Sequence, residues 1–119
     1  MAWEVEYTYE FGVWWKELEE SQQDRIAATV SLLETHGPSL PFPHSSGING
    51  SRHAHMRELR VQSGGAPLHI LYAFDPSRTA ILLIGGVKTG KDRFYEDHVP
   101  WADDLYDVHI KELKAEGLI

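Results

Sequence analysis

The chain has 119 residues, 42% hydrophobic and 24% charged, which suits one folded domain over residues 1–119 around one core. It has no cysteine, so disulfides, thiol catalysis and cysteine-ligated zinc are excluded. No apolar run approaches the roughly 18 residues that span a bilayer, and Glu4, Glu6 and Glu10 make the N-terminus unlike a signal peptide, so the expected setting is cytoplasmic, with no membrane contact. The formal net charge is −7, unevenly spread. Residues 1–50 carry two Lys/Arg against eight Asp/Glu, and residues 94–119 carry two against seven. Residues 51–93 reverse the sign, with seven against three. A basic centre between acidic ends can draw phosphates to an acidic protein, or can offset the ends within the fold.

Trp3 to Glu10 alternates apolar and polar residues, which predicts a half-buried strand. Phe11, Trp14, Trp15 and Leu18 follow at helical spacing; Trp14 and Trp15 cannot easily both face inward, so one of them is a candidate exposed contact. Ser21 and Asp24 resemble a capping box that opens a second helix, with Ile26, Val30 and Leu33 as its apolar stripe and Gly37-Pro38 as its stop. Residues 37–50 are rich in proline, glycine and serine and read as a loop, with Phe42 pinning it to the body.

Three strands come next. His55 to Gln62 sets Leu59 and Val61 against Glu58 and Arg60. After the Ser63-Gly64-Gly65 turn, Leu68 to Phe74 sets Ile70, Tyr72 and Phe74 against His69, Leu71 and Ala73. After Asp75-Pro76-Ser77-Arg78, Ala80 to Ile84 is nearly all apolar and should be central, ending at Gly85-Gly86. From Phe94 the chain reads as a helix interrupted near Pro100, with Trp101, Leu105 and Val108 supplying apolar contacts. The expected architecture is α+β, in the order β-α-α-β-β-β-α: a small antiparallel sheet, an N-terminal helical hairpin and a C-terminal helix.

Several motifs can be weighed for chemistry. Gly85 to Gly90 has the glycine spacing of a phosphate loop and Lys91 follows, but Asp92 stands where Ser or Thr would hold magnesium. His53 and His55 are an incomplete metal site, and no metal or other cofactor is expected. No nucleophile elbow is present. What remains is a strand face with Glu58, Arg60 and His69, rimmed by Lys88 and Tyr95. Such a set suits phosphodiester cleavage: a base takes the ribose 2′-hydroxyl proton, cations stabilise the phosphorane and an acid protonates the leaving oxygen. The alternative is an exposed Glu58–Arg60 strand pair beside a packed His69.

The runs GSRHAHMRELR (residues 50–60), LHILYAFDPSRTAILLIGG (68–86), Lys88 and FYEDHVPWADDLYDVH (94–109) resemble toxins of the RelE/ParE superfamily, most closely the HigB-like branch of type II toxin–antitoxin systems. The resemblance covers nearly the whole chain and implies a RelE-like fold. It also implies a ribosome-dependent mRNA endonuclease, neutralised by a cognate helix-turn-helix antitoxin through which alone it reaches DNA. The residues implied at the catalytic centre are Glu58 or His69 as base, Arg60 and Lys88 as phosphate stabilisers, and Tyr95 as an orienting or stacking group. Arg52, His53, Arg57, Lys91 and Arg93 are implied as RNA- and ribosome-binding residues. His69 stands where many relatives carry Arg, and only part of the RelE cation set is matched. A non-catalytic toxin-fold binding protein, either a gyrase-poison type or a degenerate toxin kept as antitoxin partner, is the competing reading.

Overall fold

The computed structural model describes residues 2–89 and 93–119. Strand β1 (Val5–Tyr7) leads to helices α1 (Tyr9–Lys16) and α2 (Glu20–His36), a single 3-10 turn, strands β2 (Ser45–Gly47), β3 (Arg57–Val61), β4 (Leu68–Phe74) and β5 (Ala80–Val87), and helix α3 (Phe94–Ala115). Among the described residues the strands form one five-stranded sheet, ordered β1-β5-β4-β3-β2. The class is α+β, as expected, but the sheet is mixed: β1 lies parallel to β5, with Val5 opposite Ala80, while the other pairs are antiparallel.

The sheet has a core on each side. Leu59, Val61, Ile70, Tyr72 and Leu82 pack under α1 and α2 with Phe11, Ile26 and Leu33. Leu71, Ala73, Ile81 and Leu83 pack under α3 with Phe94, Val99, Ala102 and Tyr106. This is the alternation read from the strands, in which successive side chains leave opposite faces.

Local chemistry sets the boundaries. The alternation from Trp3 to Glu10 is cut short because the Thr8 hydroxyl accepts from the Phe11 N–H (3.0 Å) and donates to the Leu83 carbonyl (2.7 Å), which starts α1 at Tyr9. The capping box of α2 is Glu19 with Gln22, two residues before Ser21 and Asp24. Neither Trp14 nor Trp15 is exposed; both pack against the core, and the large exposed aromatics are Tyr7, Tyr9, Phe42 and Trp101. The loop is pinned by buried Leu40 rather than by Phe42, which is 68% exposed. That loop also holds β2, three residues too short to show a period.

Gly85 and Gly86 do not end β5. Both lie within it because helices approach closely there: a Cβ on Gly85 would run into the Trp14 ring, and one on Gly86 would sit 2.9 Å from Phe94 Cε1. Helix α3 is likewise uninterrupted at Pro100. A mid-helix proline costs about 3 kcal/mol. Burial of Val99, Ala102, Tyr106 and Leu113 on the same helix exceeds that, at about 1.5–3 kcal/mol per large apolar side chain. Among the described residues no helix is long and apolar enough to cross a membrane.

Candidate functional site

Antiparallel pairing places Arg60 on β3 directly opposite His69 on β4, with Glu58 one step along the same face. Opposite His69, on the next strand, is Gly86. Its missing side chain lets Phe94 lie close on the sheet, with the His98 ring stacked on Phe94 at 4.4 Å. That approach fixes the start of α3 and brings the next residue, Tyr95, across to β3. The Tyr95 hydroxyl lies 2.9 Å from both Glu58 oxygens.

Glu58 is thus the hub. It is 2% exposed and His69 is 5% exposed. His69 Nδ1 is 2.8 Å from Glu58 Oε2, the Ser46 hydroxyl donates to Oε1 at 3.0 Å, and Arg60 Nη1 stands 3.8 Å from Oε1. Burial pushes the Glu58 carboxyl up. Hydrogen bonds from His69, Tyr95 and Ser46 outweigh burial and hold it below its ordinary value. An ionised carboxylate only accepts, so His69 Nδ1–H donates to it and Nε2 is left available. Among the described residues no hydrogen bond is formed to Nε2.

Two aromatic–cation pairs flank this centre. The Arg60 guanidinium lies over the Phe42 ring at 5.0 Å, and Lys88 Nζ lies over the Tyr95 ring at 5.4 Å. The structure therefore brings Glu58, Arg60, His69, Lys88 and Tyr95 together. Ser46 and Phe42 are additions from the segment read as loop.

The other basic residues lie elsewhere. Arg52 pairs with Asp103, Asp104 and Asp107 on α3, and His53 Nε2 is 2.8 Å from Asp107. Hydrogen bonds to Asp107 and Asp104 raise the Arg52 pKa, and Arg52 and His53 in turn lower that of Asp107. Arg57 points to the opposite sheet face, where its Nε donates to Ser45 Oγ at 3.0 Å. Arg93 pairs with Glu96 at 2.8 Å. Lys91 lies outside the described residues. Among the described residues no group of three or more His, Asp or Glu side chains is arranged to hold a metal ion; His53 and His55 turn instead to Asp107 and the Tyr106 hydroxyl.

A second buried carboxylate with a histidine partner lies towards the other end of α3. Asp75 Oδ2 is 2.8 Å from His109 Nε2, and Oδ1 accepts from the Ser77 N–H, the Ser77 hydroxyl and the Thr79 N–H.

Comparison with known proteins gives a consistent picture. The family model described as phage derived protein Gp49-like (DUF891) matches residues 13–107. A Mycobacterium tuberculosis protein named as toxin HigB2 is 35% identical over 105 residues, covering 87% of this chain and 52% of that protein. A second from the same organism, named as toxin HigB3, is 40% identical over 91 residues, covering 76% of this chain and 78% of that protein. The chain thus spans about half the length of the first of these relatives. Among solved structures, the crystal structure of the archaeal RelE-RelB complex from Pyrococcus horikoshii contains a chain that matches with a TM-score of 0.56 at 13% identity. The match covers 77% of this chain and 100% of that one, a likeness of fold.

Proposed function

We propose, from the premise that the chain belongs to the phage-derived Gp49-like family of RelE/HigB-type toxins, that it is the toxin of a type II toxin–antitoxin module and cleaves mRNA on the ribosome. The toxin is read as a single domain over residues 1–119, acting in the cytoplasm. Its partner is a cognate helix-turn-helix antitoxin, which alone links it to DNA.

The observation that carries the reading is the Glu58–His69 pair bracketed by Arg60 and Lys88. Of the two candidate bases, His69 is the better. Glu58 is held ionised by three donors and has a depressed proton affinity, so it is a poor base. His69 has Nε2 open, and Glu58 fixes its tautomer and stabilises the imidazolium that forms. In the proposed step His69 Nε2 takes the 2′-hydroxyl proton and the 2′-oxygen bonds to phosphorus. The bond from phosphorus to the 5′-oxygen breaks, and Lys88 protonates the leaving oxygen, giving a 2′,3′-cyclic phosphate and a 5′-hydroxyl. Arg60 and Lys88 face the charge that grows on the phosphorane. Tyr95 holds Glu58 through its hydroxyl and presents its ring beneath Lys88.

The test is a translating extract with mRNA ends mapped by primer extension. Wild-type protein cuts within codons being read, and Arg60→Ala or Lys88→Ala slows cutting; intact mRNA with wild-type protein overturns the reading. One observation favours a second reading, a toxin-fold binding protein without catalysis. Arg52, His53 and Arg93 already face acidic partners, which reduces the cationic surface open to RNA. Replication arrest with intact mRNA after induction supports a gyrase-poison type, and growth unaffected by expression supports a degenerate toxin retained as antitoxin partner.

A further inference from the structure

Phe42 is 68% exposed and contributes little to either core, yet its position is fixed. The His44 and Ser45 amides both donate to the Pro41 carbonyl at 3.1 Å, and the Arg60 amide donates to the His44 carbonyl at 2.9 Å. The turn carrying Phe42 is thereby tied to β3, the strand that carries Glu58 and Arg60. The Arg60 guanidinium covers the ring on one side at 5.0 Å and is itself 3.8 Å from Glu58. A held aromatic surface therefore stands one side chain away from the reactive centre.

Every nucleobase has a π face, and proteins that hold single-stranded RNA stack unpaired bases on exposed aromatic rings and on arginine planes. Phe42 and Arg60 supply both elements, with the guanidinium able to reach a phosphate next to the stacked base. The other large exposed aromatics lack this company. Tyr7 is on the far edge strand β1 and Tyr9 beside it, and Trp101 stands on α3 close to Asp103 and Asp104.

We infer that Phe42 is the stacking platform for the RNA base beside the cleaved phosphate, with Arg60 joining platform to phosphate, so that Phe42 helps select where the message is cut. The inference rests on the endonuclease reading. It assigns Phe42 a role in positioning the substrate and none in proton transfer.

The experiment compares wild type, Phe42→Ala, Phe42→Trp and Tyr9→Ala in a translating extract, with cut sites mapped and rates followed against the concentration of mRNA-loaded ribosomes. Phe42→Ala is expected to raise KM roughly five- to hundredfold, to leave kcat near wild type and to spread cuts over more sequences. Phe42→Trp restores the wild-type pattern, and Tyr9→Ala does not change it. A 2′-O-methylated trinucleotide containing 2-aminopurine, titrated against purified protein, gives a second readout: its fluorescence is quenched by wild type and far less by Phe42→Ala. The exposed ring can be removed without opening a core, and equal melting temperatures verify that. Phe42→Ala cutting with wild-type KM and pattern overturns the inference. So does a variant that cuts normally but escapes neutralisation by the helix-turn-helix partner, since Phe42 is then a protein contact. If wild type cuts no mRNA the endonuclease reading fails, and the trinucleotide decides alone: quenching lost in Phe42→Ala sustains the platform, and equal quenching removes it.

Discussion

Glu58–His69 and Asp75–His109 are the same chemical pair in two surroundings. Each joins a nearly buried carboxylate to a ring nitrogen at 2.8 Å. In each, burial pushes the carboxyl up and hydrogen bonds outweigh it, leaving the group below its ordinary value. The difference lies in the neighbours. The remaining bonds of Asp75 go to Ser77 and Thr79 in the β4–β5 turn, so the pair staples α3 to that turn. Around Glu58 stand two cations on aromatic rings, and its histidine keeps one nitrogen open. A perturbed carboxylate marks a candidate site only when groups useful to a substrate converge on it. Otherwise it marks a joint.

The largest expected contrast is in cleavage. Glu58→Gln keeps the side-chain shape but removes the charge that supports a His69 imidazolium. Cleavage per folded molecule should fall by about 10²–10⁴, whereas Asp75→Asn, corrected for its folded fraction, should cut like wild type. Equal losses in the two would erase the distinction.

Stability should show the reverse emphasis. Asp75→Ala leaves His109 without its partner and three donors in the turn without their acceptor. It should cost on the order of 3–5 kcal/mol in urea unfolding. A cost near zero would mean that α3 is held by its apolar face alone.

Acid should sharpen the comparison. Both carboxyls are lowered on folding, so each stabilises the fold fully above its unfolded value, 4.5 for Glu58 and 3.8 for Asp75. That stability is lost as pH falls through the lower folded values. Urea midpoints should therefore drop as pH is lowered below 4.5 in wild type, and less steeply in Asp75→Asn or Glu58→Gln. A flat profile in wild type would contradict the shifts. The smallest effect is expected from Arg52→Ala. Arg52 is already engaged by Asp104 and Asp107 at the surface, and exposed pairs of this kind contribute little. Cleavage and ribosome affinity should barely change; a large loss of affinity would return Arg52 to the RNA-binding set.

How far the sequence disclosed this contrast depended on range. β4 was legible to its ends because an apolar run is bounded by the turns at Ser63-Gly64-Gly65 and Asp75-Pro76, and the strand period of two put Glu58, Arg60 and His69 on one face. The strand character of Gly85 and Gly86 was hidden, since it follows from Trp14 and Phe94, residues from separate helices that need the space. Ser46 and Phe42 were hidden in a segment of loop composition, where a three-residue strand leaves no pattern. The fate of Arg52 and His53 was hidden for the same reason: their acidic partners lie about fifty residues on, across a helix packing no local rule predicts. Composition gave a basic centre, and only the fold separated the cations at the site from those paired with acidic residues of α3.

The claim that one histidine pair works on RNA while the other holds the fold is tested most directly by two variants side by side. His69→Ala and His109→Ala, each normalised to its folded fraction, should be compared for mRNA cleavage in the same translating extract. The account predicts that His69→Ala loses at least about a hundredfold and that His109→Ala cuts at the wild-type rate. Cleavage by His69→Ala at the wild-type rate, or equal loss in both, would contradict it.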